Sequence, residues 1–242
     1  MNGVASAEKT RENLALRRGE HWRPPPLEPG RKPLGQALAK MRRFLDLQAG
    51  SVWTDVARQL RDARGKLVDV GCGAQPYRDL VPPGVQYVGL DIADSKARFG
   101  YATRDTLYFD GTRWPEATHD ADWVLCTEVL EHTLEPRTFL REAYAALRPG
   151  GRLVLTVPFA ARWHFVPFDY WRFTPSALAH LLDEAGFGNV RVWARGNALT
   201  VSCYKNMALL LPLLFPQGTR GLRALPRRVA GAASLPLLLG LA

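Results

Sequence analysis

Between Lys66 and Tyr204, short apolar runs alternate with stretches whose apolar positions recur every three or four residues. That alternation predicts βα units around a parallel sheet. The runs at 67–70, 85–90, 106–109, 122–126, 152–157, 189–194 and 198–204 predict seven strands in an α/β fold. Between the fourth and fifth, Phe139, Leu140, Ala143, Tyr144 and Leu147 share one helical face, opened by Pro136 and closed by Pro149, Gly150 and Gly151. A second helix starts at Thr174 as N-cap, with Pro175 in its first turn, and runs through Leu178, Leu181 and Leu182 to Gly186. Upstream, Leu38, Met41, Leu45, Val52, Val56 and Leu60 predict two N-terminal helices broken around Gly50 and Ser51, covering the entrance to the domain.

The flanks read differently. Residues 1–33 hold Arg17, Arg18 and a run of prolines at 24, 25, 26, 29 and 33, which predicts an extended basic arm. Residues 206–242 carry two Leu-rich runs joined by Arg220, Arg223, Arg227 and Arg228, an apolar and basic C-terminal extension. Each run falls short of the ~18 apolar residues of a membrane span, and Pro212 and Pro236 interrupt them. Such a segment suits packing on the core, a dimer face or contact with an anionic membrane surface. The central 34–205 is left as one catalytic domain.

Charge sharpens this division. The 242-residue chain has a net charge of +9, yet residues 35–205 carry 21 basic and 19 acidic side chains. A nucleic-acid enzyme wears its basic stripe on the folded body. Here the excess sits in the tails, which weighs against a nucleic-acid substrate. Cys72, Cys126 and Cys203 lie far apart and form no ligand spacing, so they predict core thiols and neither a disulfide framework nor a structural metal. No apolar segment precedes Arg23, so the expected setting is cytoplasmic, with peripheral membrane contact through 206–242.

The most informative stretch is Leu67-Val68-Asp69-Val70-Gly71-Cys72-Gly73-Ala74-Gln75-Pro76, an apolar strand that ends in a glycine pair. Glycines at 71 and 73 let the backbone turn sharply and approach a ligand at the carboxyl end of the strand. Twenty residues past Gly71, the second strand ends in Asp91, placed to accept hydrogen bonds from two ribose hydroxyls. Pro76 stands where a dinucleotide pattern wants its third glycine, and Asp69 would repel pyrophosphate but suits an ammonium or sulfonium.

These residues resemble motif I and the acidic ribose loop of class I S-adenosylmethionine-dependent methyltransferases, which have a Rossmann-like, doubly wound sheet. The resemblance continues through Thr127-Glu128-Val129-Leu130-Glu131-His132 and Leu147-Arg148-Pro149-Gly150-Gly151-Arg152-Leu153, covers about residues 65–205, and is strongest to the type 11 branch. It implies S-adenosyl-L-methionine as cofactor. Asp69, Gly71, Cys72 and Gly73 would line its methionine portion, Asp91 and Ile92 its ribose, and Asp110 and Gly111 its adenine. Thr127 and Glu128 would complete the cofactor wall.

Past the fifth strand, the aromatic run His164-Phe165-Val166-Pro167-Phe168-Asp169-Tyr170-Trp171-Arg172-Phe173-Thr174 falls where such enzymes form the substrate wall. Its resemblance is to members associated with glycan or secondary-metabolite modification. Tyr170, Trp171 and Arg172 are therefore expected to contact substrate. Methyl transfer to a hydroxyl uses a general base, for which His164 comes first, Asp169 next and His132 third; no metal is assigned. The expected acceptor is a small molecule, a glycan or a lipid-linked hydroxyl. The alternatives are a nucleic-acid methyltransferase of the same fold, a nicotinamide-dependent oxidoreductase and a non-catalytic binding module. Against the first, the Asn/Asp-Pro-Pro-aromatic tetrapeptide of exocyclic-amine methyltransferases is replaced by Thr127-Glu128-Val129-Leu130.

Overall fold

The computed structural model describes residues 33–214 except 102 and 104, together with 20, 229, 232 and 233. The N-terminal arm and most of the C-terminal extension lie outside the described residues. The chain runs α1 (Pro33–Leu45), α2 (Leu47–Leu60), β1 (Lys66–Val70), β2 (Gln86–Ile92), α3 (Ser95–Phe99), β3 (Thr106–Phe109), β4 (Ala121–Thr127), α4 (Pro136–Ala146), β5 (Leu147–Thr156), α5 (Pro175–Glu184) and α6 (Ala198–Leu214). The strands form one sheet in the order β3-β2-β1-β4-β5, with every pairing parallel. Strand order therefore reverses between β1 and β4, and the crevice above that switch point is where open α/β sheets take ligands.

Alternation along the strands sorts the core into two faces. Leu67, Trp123 and Leu125 pack under Val52, Val56 and Leu60, which lie one turn apart on α2. Val68, Val70, Val124 and Cys126 point the other way, against Ala143 and Ala146 of α4. The Asp46 side chain caps α2 by accepting from the Ala49 N–H at 3.1 Å. The break between the first two helices thus falls at Asp46, and Gly50 and Ser51 sit inside α2. Gly50 is required there because a Cβ would stand 2.4 Å from the Arg43 carbonyl oxygen at the end of α1. Thr174 caps α5 as its sequence position predicts, accepting from the Ala177 N–H at 3.2 Å.

Two of the seven expected strands are absent from the sheet. Residues 189–194 run as irregular chain, and 198–204 open a 17-residue helix. The alternating Leu199, Val201 and Cys203 suit a strand locally, but Asn197 accepts from the Thr200 N–H at 2.9 Å and starts helix α6. Strand β5 begins earlier than its apolar run. Leu147 already pairs with Ala121, and residues 148–151 loop out before Arg152 pairs with Trp123. All three cysteines are buried free thiols, as expected. No helix among the described residues is long and apolar enough to cross a membrane.

Candidate active site

At the carboxyl end of β1 the chain turns through Gly71, at φ +65°, and Gly73, at φ +53°. The N–H groups of Gly71 and Cys72 both donate to the Leu90 carbonyl, at 2.8 and 3.2 Å, which seats the turn against β2. Asp91 closes it from the other side. Its Oδ2 accepts from the Gly73 N–H at 3.0 Å and its Oδ1 from the Ile92 N–H at 2.8 Å. Each oxygen keeps a further lone pair for an incoming hydroxyl. Burial raises the Asp91 pKa, and the two backbone N–H groups oppose the rise.

A Cβ on Gly71 would meet Val129 Cγ2 at 2.4 Å, in a backbone conformation that side chains rarely adopt. Gly71→Ala is expected to cost about 2–4 kcal/mol of stability in urea unfolding, from overpacking plus left-handed strain. Gly84 provides the control, because its φ is also positive but nothing lies within 4 Å of its Cβ position. Gly84→Ala should lose only about 1 kcal/mol. Equal losses in the two variants would remove the steric role of Val129.

Above the turn lies a cavity of about 630 Å³, lined by Gly71, Cys72, Gly73, Asp91, Ile92, Asp110, Gly111, Thr127, Glu128, His132, His164 and Tyr170 among others. The volume lies within the usual range for a cofactor-sized ligand. Asp110 accepts from the Thr112 N–H and hydroxyl, at 2.8 and 2.6 Å, and those bonds hold its pKa down. Glu128 adopts φ +55° at the end of β4. Its carboxylate gathers Gln48 of α2 at 2.6 Å, Thr156 of β5 at 2.9 Å and Arg195 at 3.3 Å. Tyr204 of α6 completes the set by donating to Gln48 Oε1 at 2.5 Å.

Several expected site residues stand elsewhere. Asp69 is 1% exposed and lies behind the cavity wall, where its Oδ2 takes the Tyr87 hydroxyl at 2.7 Å. Burial pushes its pKa up to about 7. Cys72 reaches the wall, but burial raises its thiol pKa to about 12. Gln75, in the departure from the third-glycine pattern, turns away from the cavity and ties the loop to Thr103, Thr106 and the Asp105 carbonyl.

In the aromatic loop, Asp169, Trp171 and Arg172 are absent from the cavity wall. Trp171 donates its indole N–H to the Thr133 carbonyl at 2.8 Å and stacks on Phe173. Arg172 grips Asp169 through two nitrogens at 2.6 and 2.7 Å. Burial opposes ionisation, yet bonds from Arg172 and His164 hold the Asp169 carboxyl well below the usual carboxylate range. Asp169 Oδ2 accepts from the backbone N–H of His164 at 3.0 Å, and the His164 Nδ1 lies 3.0 Å from both that oxygen and the Arg162 carbonyl.

His132 and His164 do reach the cavity, with ring centroids 5.1 Å apart. His132 Nδ1 lies 2.7 Å from the Phe168 carbonyl. Burial, then the neighbouring His164, lowers its pKa to about 4. Behind it sits Glu131, fully buried, with neither carboxylate oxygen hydrogen-bonded among the described residues. The glycine cradle, the ribose-facing acid and the cavity volume together fit S-adenosylmethionine.

A parallel sheet with this switch point, this turn and this acid defines a methyltransferase of the S-adenosylmethionine-dependent class. The chain belongs to the family described as "Methyltransferase domain", whose model matches residues 39–192. Among curated proteins, it is 26% identical over 170 residues to the ubiquinone biosynthesis O-methyltransferase of Xanthomonas axonopodis pv. citri (strain 306), covering 63% of this chain and 70% of that one. It is 33% identical over 167 residues to the tRNA U34 carboxymethyltransferase of Hahella chejuensis (strain KCTC 2396), covering 60% of this chain and about half of that one, 51%. Among solved structures, the [4+2]-cyclase SpnF aligns with a TM-score of 0.51 and 23% identity, covering 80% of this chain and 78% of that one, a likeness of fold.

Proposed function

We propose that this S-adenosylmethionine-dependent methyltransferase acts on a hydroxyl of a small-molecule, glycan or lipid-linked acceptor. The observation that carries the reading is the character of the cavity wall. Phe99, Tyr101, Phe165 and Tyr170 line it, with Phe165 edge-on to Phe99 at 5.4 Å and tilted to Tyr101 at 6.3 Å. Aromatic faces of this kind favour an apolar or ring-bearing acceptor. Six carboxylates line the cavity, at Asp46, Asp91, Asp94, Asp110, Glu128 and Glu135, against three guanidiniums, at Arg42, Arg98 and Arg162. That balance repels a phosphate backbone. The ubiquinone relative named above is an O-methyltransferase.

Bound S-adenosylmethionine supplies a methyl group on a positively charged sulfur. The protein's part is to align the acceptor oxygen in line with that bond and keep water out. Asp91 fixes the ribose end, the Gly71–Gly73 turn lets the backbone approach, and the aromatic loop walls the acceptor side. The tRNA relative favours a second reading, an RNA acceptor.

Purified protein incubated with methyl-labelled S-adenosylmethionine and lysate fractions should place label in the lipid, glycan or small-molecule pools, as alkali-stable ethers. Label confined to nucleic acid, with a steep salt dependence, would transfer the assignment to RNA or DNA.

A further inference from the structure

We propose that Glu131, His132 and His164 form a divalent-cation site on the cavity wall, with one carboxylate oxygen and one ring nitrogen from each histidine as ligands. One such atom from each residue lies within 4.8 Å of the other two. Ligands at about 2.0–2.2 Å from a common ion stand up to about 4.4 Å apart, so side-chain shifts of a few tenths of an ångström bring the three atoms into reach of one ion.

Three features point to an ion. The first is Glu131, a fully buried carboxylate with both oxygens lacking hydrogen-bond partners among the described residues. A buried carboxylate without a partner is costly, and such groups take a proton, a counter-charge or a metal. The second is His132. Its Nδ1 lies 2.7 Å from the Phe168 carbonyl, an acceptor that fixes the ring proton there. Its Nε2 is left as a bare lone pair, 3.5 Å from Glu131 Oε1. Two acceptors facing each other call for a positive centre between them.

The third is the outer support. His164 Nδ1 faces Asp169 Oδ2 at 3.0 Å, and Asp169 is itself clamped by Arg172. A carboxylate or carbonyl behind each ligating histidine is the usual way a metal site fixes its imidazoles. Two imidazoles and one carboxylate favour Zn²⁺, Fe²⁺, Co²⁺ or Mn²⁺ over Mg²⁺ and Ca²⁺, which prefer all-oxygen sets. Three protein ligands leave coordination positions open, and both histidines border the cavity shared with Asp91 and Gly73.

The site's use rests on the hydroxyl-acceptor reading; the site itself does not. An acceptor hydroxyl taken at an open position becomes more acidic and loses its proton to solvent. An oxygen lone pair then forms the O–CH₃ bond while the C–S bond breaks and its electron pair stays on sulfur. His164, the first candidate for general base, is a ligand in this scheme.

The test is titration of chelator-treated full-length protein with Co²⁺, read by calorimetry and visible absorption. One equivalent is expected to bind with new d–d bands. His164→Ala and Glu131→Gln should each weaken binding by more than about tenfold. The His164 side chain is partly exposed, so its variant remains informative if Glu131→Gln fails to fold. Retained S-adenosylmethionine binding identifies a folded variant. No uptake of Co²⁺, Mn²⁺ or Zn²⁺ by the wild type, or unchanged uptake in folded His164→Ala, overturns the site. Uptake with hydroxyl methylation unaffected by chelation supports the site and overturns its catalytic use.

Discussion

Replacing Asp91 with alanine is expected to weaken S-adenosylmethionine binding by at least about a hundredfold. Two hydrogen bonds from ribose hydroxyls to an ionised carboxylate are worth about 1.5–3 kcal/mol each, and every 1.4 kcal/mol is tenfold. The same substitution leaves the N–H groups of Gly73 and Ile92 without their acceptor, so the turn loses the tie that holds its shape. Stability should fall much less than affinity. Burial raises the Asp91 pKa, so the free protein spends free energy keeping that carboxyl ionised, and alanine removes this cost. Asp91→Asn should lie between wild type and alanine, since its amide nitrogen cannot accept from a backbone N–H. Calorimetric titration beside thermal melting separates the two effects. Affinity within threefold of wild type would remove Asp91 from the cofactor site.

The second large effect is expected at Asp169, which never reaches the cavity. Its side chain is 1% exposed, paired with Arg172 and bonded to the backbone and ring of His164. Removing it leaves the His164 N–H without its acceptor and Arg172, whose side chain is 26% exposed, without its counter-ion, a loss of about 1–3 kcal/mol. Asp169→Ala should therefore lower stability by about that amount, and turnover should fall further as His164 loses its anchor. Removing both charges, in Asp169→Asn with Arg172→Met, should recover much of the stability but not the turnover. Chemical denaturation and single-turnover methyl transfer check both halves. Full activity in the double variant would show that the pair serves the fold alone.

The contrast between these two acids shows how far local pattern reaches. Asp91 is readable because it ends an apolar strand a fixed distance past a glycine turn, and both features are local. Asp169 reads as a candidate base because an acid between aromatic residues looks available. Arg172 three residues on, and the burial of the Asp169 side chain itself, tie it into an ion pair outside the cavity wall instead. Trp171 and Arg172 look like substrate contacts for the same reason, but they lie outside the cavity wall and donate to the Thr133 and Arg162 carbonyls. Glu128 sits in a recognisable motif, yet its partners Gln48 and Arg195 lie 80 and 67 residues away.

The sequence by itself determined the central sheet, the order of βα units, the glycine turn and the acid, Asp91, that stands beside it. Hydrophobic period, strand length, helix caps and glycine placement are properties of neighbouring residues. The tertiary structure decided that the sheet holds five strands among the described residues, because 198–204 suits either period locally and packs as a helix whose Tyr204 donates to Gln48 of α2, 156 residues away. It alone placed Asp69 behind the wall and brought Glu131 and His132 to His164. Those outcomes depend on which buried groups find partners once distant segments pack, and desolvation sets that cost only in the folded chain.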